Sequence, residues 1–260
     1  MLVLDGQRND GIADSTLELA VQDRALSQPV LPASCQPGDV TFGPAVHAPS
    51  DASAALWIAP SLGRFGTVGG LVPHGYERYL LLDYRAEEHP GFDGVSRLFG
   101  QLAGLLAEHT STADDCWFAI WEGYGFTTWA TMLAGAPGDD RERQELDRER
   151  RRLREDDARR KESIRAALSV LPAFDLPARR YYLVHGGVTA ASKIERPDGS
   201  SSQPPDLWWP EDRRWFVAGD TDLDWCYIAG SEQLVSTVSA EFGRRTRPVE
   251  WEAANAAVGE

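Results

Sequence analysis

The apolar pattern changes character along the chain. Residues 1–49 hold short apolar pieces interrupted by Pro29, Pro32, Pro37, Pro44 and Pro49, with no sustained period of a strand or a helix. This stretch reads as a loosely structured N-terminal extension. From Ser50 the pattern sharpens. Ser50 and Asp51 can cap a short helix that runs through Ile58 and that Pro60 stops. Residues 68–72 and 76–84, rich in aromatic and aliphatic side chains, are expected strands. Val95, Leu98, Phe99, Leu102, Leu105 and Leu106 then form one stripe at helical spacing, which predicts an amphipathic helix over 93–109. The run Cys116-Trp117-Phe118-Ala119-Ile120-Trp121 is short, aromatic and followed by Gly123 and Gly125, as in a buried strand.

Residues 139–165 carry 11 basic and 10 acidic side chains, with acid-to-base pairs four apart such as Asp147 to Arg151 and Asp157 to Lys161. Only Ile164, Leu168 and Leu171 give this segment an apolar docking end. It is expected to form a long charged helical insertion, about 139–168, that lies mostly in solvent. Residues 180–185 read as a strand, 199–205 as a flexible loop, and 214–218 with 225–229 as a hairpin. Ser231 can cap a last helix through Phe242, and 243–260 remains as a C-terminal tail. Strands follow one another without helical crossovers, so the expected fold is α+β. Its mainly antiparallel sheet is packed by amphipathic helices, in a single domain spanning 50–242.

The 260 residues include 40 acidic and 26 basic side chains, a formal net charge of −14. Such a chain repels phosphate backbones and anionic lipid surfaces at long range, so nucleic acid and membrane are poor partners. No apolar run approaches the roughly 20 residues of a membrane helix. Cys35, Cys116 and Cys226 are odd in number and far apart, and the N-terminus has no signal-peptide pattern. A reducing cytoplasm is expected.

Candidate chemistry is sparse. Asp220, Asp222 and Asp224 alternate and could converge on a divalent cation, although turn hydrogen bonds explain aspartates there equally well. Glu122, beside Trp121, could act as a general acid or base and pair with Asp222 in a hydrolase. It could as readily accept backbone hydrogen bonds or pair with arginine. The five histidines stand singly, with no zinc-ligand spacing, and no cofactor is expected. Trp121, Tyr124, Trp208, Trp209, Asp212 and Trp215 could line an aromatic recognition surface for another protein. The alternative is that the indoles fill the core.

Four sequence runs carry a resemblance: Trp57-Ile58-Ala59-Pro60 with Phe65-Gly66-Thr67-Val68-Gly69; Val72-Pro73-His74-Gly75-Tyr76-Glu77; Cys116-Trp117-Phe118 with Trp121-Glu122-Gly123-Tyr124-Gly125; and Leu207-Trp208-Trp209-Pro210-Glu211-Asp212-Arg213 through Gly230-Ser231. Over about residues 55–240 the chain resembles an actinobacterial protein family to which no activity is assigned. It departs from that family's pattern at Gly219-Asp220-Thr221 and in the charged insertion. Its strand arrangement and acidic terminal hairpin also resemble, faintly, the SMI1/KNR4 immunity-type superfamily. That likeness implies a module that binds a protein or another ligand. The function expected is therefore binding or interaction, with a carboxylate-dependent hydrolase using Glu122 and Asp222 as the alternative.

Overall fold

The computed structural model describes residues 42–84, 92–124, 140–177, 179–195, 197, 204–220 and 223–255, all within one compact unit, Leu31–Glu260. The fold is α+β. Its nine-stranded sheet comprises β1 (Val46–His47), β2 (Arg78–Asp83), β3 (Cys116–Trp121), β4 (Ala173–Leu176), β5 (Arg179–Gly186), β6 (Leu207–Pro210), β7 (Phe216–Gly219), β8 (Trp225–Gly230) and β9 (Thr246–Val249). The order across the sheet is β1-β5-β3-β6-β7-β8-β2-β9, with β4 also pairing β5, and every pairing is antiparallel. The α-helices among the described residues are α1 (Phe92–Ala107), α2 (Asp140–Leu168) and α3 (Glu232–Phe242).

Alternation along each strand sends side chains to two buried faces. Leu80, Leu82, Phe118, Ile120, Trp208 and Ile228 meet the stripe of α1, Val235 and Val238 of α3, and Ile164 and Leu168 at the end of α2. On the other face Leu81, Ala119, Leu183, Trp209, Phe216 and Tyr227 meet Ile58, Val68 and Val72 from the segment before β2. Burial on both faces explains why β3, β6 and β8 read as unbroken apolar runs instead of alternating ones, although the sheet is antiparallel. Ser231 Oγ accepts the Leu234 N–H at 3.2 Å and fixes the start of α3. Helix α2 is the long charged peripheral helix. Among its described side chains only Ile164 and Leu168 are buried, and the half-buried Lys161 pairs with Asp157 at 2.7 Å.

The structure differs from the sequence reading in four places. The expected short helix through Ile58 is instead two 3₁₀ turns, Ser53–Ala55 and Ala59–Ser61, and Pro60 lies inside the second, where its missing N–H is not needed. Residues 68–72 are not a strand: Val68–Gly70 forms a 3₁₀ turn. The cause is glycine packing, since a β-carbon at Gly69 would stand 2.5 Å from Trp251 Cε2 and one at Gly70 would stand 2.6 Å from the Arg64 carbonyl. Phe42 and Val46, inside the expected extension, are buried in the core, and β1 pairs with β5. The expected tail supplies β9, which pairs β2, and a clasp on the 63–72 segment. In that clasp the Gly69 N–H donates to the Trp251 carbonyl at 2.8 Å, Val68 N–H to Ala253 at 2.9 Å, and the Trp251 indole to the Val72 carbonyl at 2.9 Å. Such short segments have no period to read. Residues 199–203 of the expected loop at 199–205, Cys35 and the extension before residue 42 lie outside the described residues.

At the β1 edge His47 faces His185 in register, with Nε2 and Nδ1 3.1 Å apart, and Trp117 packs on the His185 ring at 4.4 Å. Burial, and then the neighbouring His47, hold His185 below the usual histidine range, against the weaker pull of Asp115 and Glu211.

Two outcomes follow from this packing. Gly69→Ala should cost about 2 kcal/mol in denaturant unfolding, because the added methyl group must displace Trp251; a neutral result would contradict the clasp. Because the folded state binds the His185 proton less readily than the unfolded chain, stability should fall as pH drops through about 6.5 and below. Unfolding curves between pH 7.5 and 5.5 check this, and His185→Gln should flatten the slope.

Candidate functional site

Apart from Asp212, the described residues singled out in the sequence fall at one end of the sheet and in its interior. At the end where β3 finishes and β5 begins, Glu122 accepts the Tyr182 hydroxyl at 3.2 Å and stands 3.9 Å from Arg180 Nε. The adjacent Arg179 pairs with Asp220 at 2.6 Å and lies over the Trp121 ring at 4.3 Å. Asp206, buried, accepts the Trp121 backbone N–H at 2.8 Å. Each of these carboxylates is thus engaged by its own chain. Asp222 and the side chain of Tyr124 lie outside the described residues, so the pair Glu122 with Asp222 has no described geometry. Asp224 is exposed, and among the described residues no group of three or more His, Cys, Asp or Glu is placed to hold a metal.

Trp208, Trp209 and Trp215 are a correction to the expected aromatic surface, since all three are fully buried. Trp208 crosses Trp215 at 5.2 Å and stacks with Phe99 and Phe118, while the Trp215 indole donates to the Leu106 carbonyl at 3.0 Å. Their strands are covered on both sides, so these rings have no open face to offer. Trp209 stacks on Phe216 on the other side of the sheet, and both rings meet Trp57 edge to face, at 6.2 and 5.8 Å. The core indole therefore supports an aromatic ring that does reach a cavity.

That cavity lies at the opposite end of the sheet, where β6 turns into β7. It is a polar cleft of about 720 Å³. Five segments wall it: Trp57, the loop from His74 to Glu77, the stretch from Glu108 to Ser111 after α1, Arg213 with Arg214, and the entry to α3 at Gly230, Ser231 and Gln233. Trp57, His74 to Glu77, Arg213, Gly230 and Ser231 belong to the runs that carry the sequence resemblance. Sequence reasoning weighed none of them as site residues. Arg213 and Tyr76 show no period and no motif spacing, and only their place in those runs could have marked them.

Asp212 assembles the cleft without lining it. Its carboxylate accepts the Thr110 hydroxyl at 2.7 Å, the Ser111 N–H and hydroxyl at 2.9 Å each, and the Arg214 N–H at 3.2 Å. Partial burial alone would raise its pKa, but the bonds from Thr110, Ser111 and Arg214 outweigh that and hold it below the usual aspartate value. The turn that follows puts Arg213 at φ +54°, a left-handed backbone that no other non-glycine residue adopts among those described. This costs about 1 kcal/mol and recurs where a side chain must be aimed. Its guanidinium lies over the Trp57 ring at 4.7 Å. Gly75 supplies the other bend, at φ +110°, where a side chain would be strained.

Two donors in the wall, Trp57 Nε1 and the Tyr76 hydroxyl, are buried with no hydrogen-bond partner among the described residues. Burial, then repulsion from Tyr79, keeps the Tyr76 phenol neutral far above physiological pH. Trp208 and Trp225 also bury unpaired indole nitrogens in the core, so the hydroxyl is the more telling of the two.

No protein-family model matches the chain, and no curated protein or solved structure matches it. No helix among the described residues is long and apolar enough to cross a membrane.

Asp212→Ala should cost about 2 kcal/mol in chemical unfolding, since four donors lose one acceptor. The same variant should broaden the NMR signals of Ser111 and Arg214. A stability change within 0.5 kcal/mol or so would mean that the turn holds itself without the carboxylate.

Proposed function

We propose that the protein is a cytoplasmic binding or interaction module, of the regulatory or immunity type, and that the cleft between the β6–β7 turn and the start of α3 is its recognition site. The observation that carries this reading is the convergence of five chain segments on one polar cavity containing two arginines, Arg213 and Arg214. Neither arginine has an ion-pair partner among the described residues. The volume lies within the range of sites that enclose a small molecule or a short segment of a partner. A rigid aromatic wall, Trp57 on Trp209 and Phe216, limits the entropy lost on binding. The cytoplasmic setting is supported by Cys116 and Cys226, which are free and buried, with thiols pushed up to about 12 by burial.

The hydrolase alternative places function at the other end of the sheet, so the two readings separate by mutation. A thermal-shift screen of amino acids, carboxylates, nucleotides and sugar phosphates should find ligands that raise the wild-type midpoint. The shift should vanish in Arg214→Gln and survive in Glu122→Gln. The reverse result, with binding or turnover lost only in Glu122→Gln, would overturn the cleft as the recognition site.

A further inference from the structure

We infer that the cleft recognises an anionic oxygen group, a phosphate or a carboxylate carried by its ligand, between Arg213 and Arg214; this rests on the reading of the cleft as the recognition site. Two arginines and two glutamates, Glu77 and Glu108, line the cleft, and the chain engages most of the acidic groups around it. Asp212 already accepts from Thr110, Ser111 and the Arg214 backbone. Glu77 accepts the Glu232 N–H at 2.9 Å, and Ser231 Oγ takes the Leu234 N–H. The carboxylates nearest the turn and the helix start are thus spent on the chain itself. The charged groups that remain in the lining are the two guanidiniums and the carboxylate of Glu108, the single acidic group there that the chain does not engage among the described residues.

A guanidinium offers a planar fork of N–H groups and accepts nothing, so two of them on consecutive residues suit the oxygens of a compact anion. Arg213 is aimed in advance. The Asp212 bonds fix its turn, the left-handed backbone directs it, and the Trp57 ring supports its guanidinium. An anion arriving there loses little to side-chain ordering. Glu108, exposed and lining the same cleft, sets the selectivity. It repels a ligand whose negative charge runs along its length, as does the net charge of −14, and tolerates a single anionic group on a neutral or aromatic body that lies along Trp57.

The test uses the full chain and two probes, inorganic phosphate and acetate, titrated separately with sodium chloride as the ionic-strength control. The readout is the ¹⁵N–¹H signals of the Trp57 indole, assigned through Trp57→Phe, and of the Arg213 Nε–H. Saturable shifts with a midpoint in roughly the millimolar range are expected for at least one anion. Phosphate alone would assign a phosphoryl ligand, and acetate alone a carboxylate. The double variant Arg213→Gln, Arg214→Gln should weaken binding at least about tenfold, whereas Arg247→Gln on β9 should not. Both cleft residues are exposed, and an unchanged unfolding midpoint will confirm that the double variant is folded. Shifts reproduced by chloride, shifts unchanged in the double variant, or no saturable response to either anion would each overturn the inference. If the anions fail while an uncharged ligand from the thermal-shift screen still moves the Trp57 signal, the cleft stands as a recognition site and only its anion preference falls.

Discussion

A sheet buried on both faces governs the rest of this structure. The central strands β6, β7 and β8 are buried at every position, and β3 at all but the half-buried Trp117 and Trp121, so nearly every position must be filled by a side chain that packs. This is where the tryptophans go. Trp208 and Trp215 fill the layer beneath α1, and Trp209 fills the opposite layer beneath the 53–72 segment. Removing one such ring would cost about 3–5 kcal/mol, a large share of the roughly 5–15 kcal/mol that holds a domain folded. With the faces occupied, polar chemistry is confined to the strand ends and the loops that join them.

The two ends of the sheet are used differently. At one, Arg179 with Asp220 and Arg180 with Glu122 close charges on one another, and the Arg179–Asp220 pair is largely buried. At the other, Asp212 and Glu77 spend their carboxylates on backbone N–H groups and hydroxyls, and Arg213 and Arg214 have no ion-pair partner among the described residues. The strained backbone at Arg213 belongs to that second end. A turn built only for stability would place glycine at φ +54°, so the retained guanidinium is best understood through what it faces.

Where the sequence has a period, it is legible. The stripe of α1, the capping serine of α3 and the apolar runs of β3 and β8 each match their observed element to within about two residues. The charge-dense α2 is recognisable from its composition alone. Residues 68–72 mislead because Val68, Leu71 and Val72 suit a strand, while the close approach of Trp251 to Gly69, more than 180 positions away, requires a tight turn. Phe42 and β9 are hidden by their brevity. The aromatic cluster misleads for another reason: nothing in a run such as Leu207-Trp208-Trp209-Pro210 states whether a second layer covers it. The cleft is illegible because its residues come from five segments with no shared spacing, brought together only by the antiparallel pairing of β2 with β8 and β6 with β7.

The claim on which all of this rests is that the doubly covered strands form the stable centre and that the helical insertion and edge segments depend on it. Native-state hydrogen exchange followed residue by residue tests it most directly. The amides of β3, β7 and β8 should exchange only through global unfolding, with one shared free energy and denaturant dependence, while those of α2 over 140–160 exchange orders of magnitude faster. Fast, denaturant-independent exchange in β7 or β8, or protection in the exposed part of α2 equal to that of β3, would contradict it.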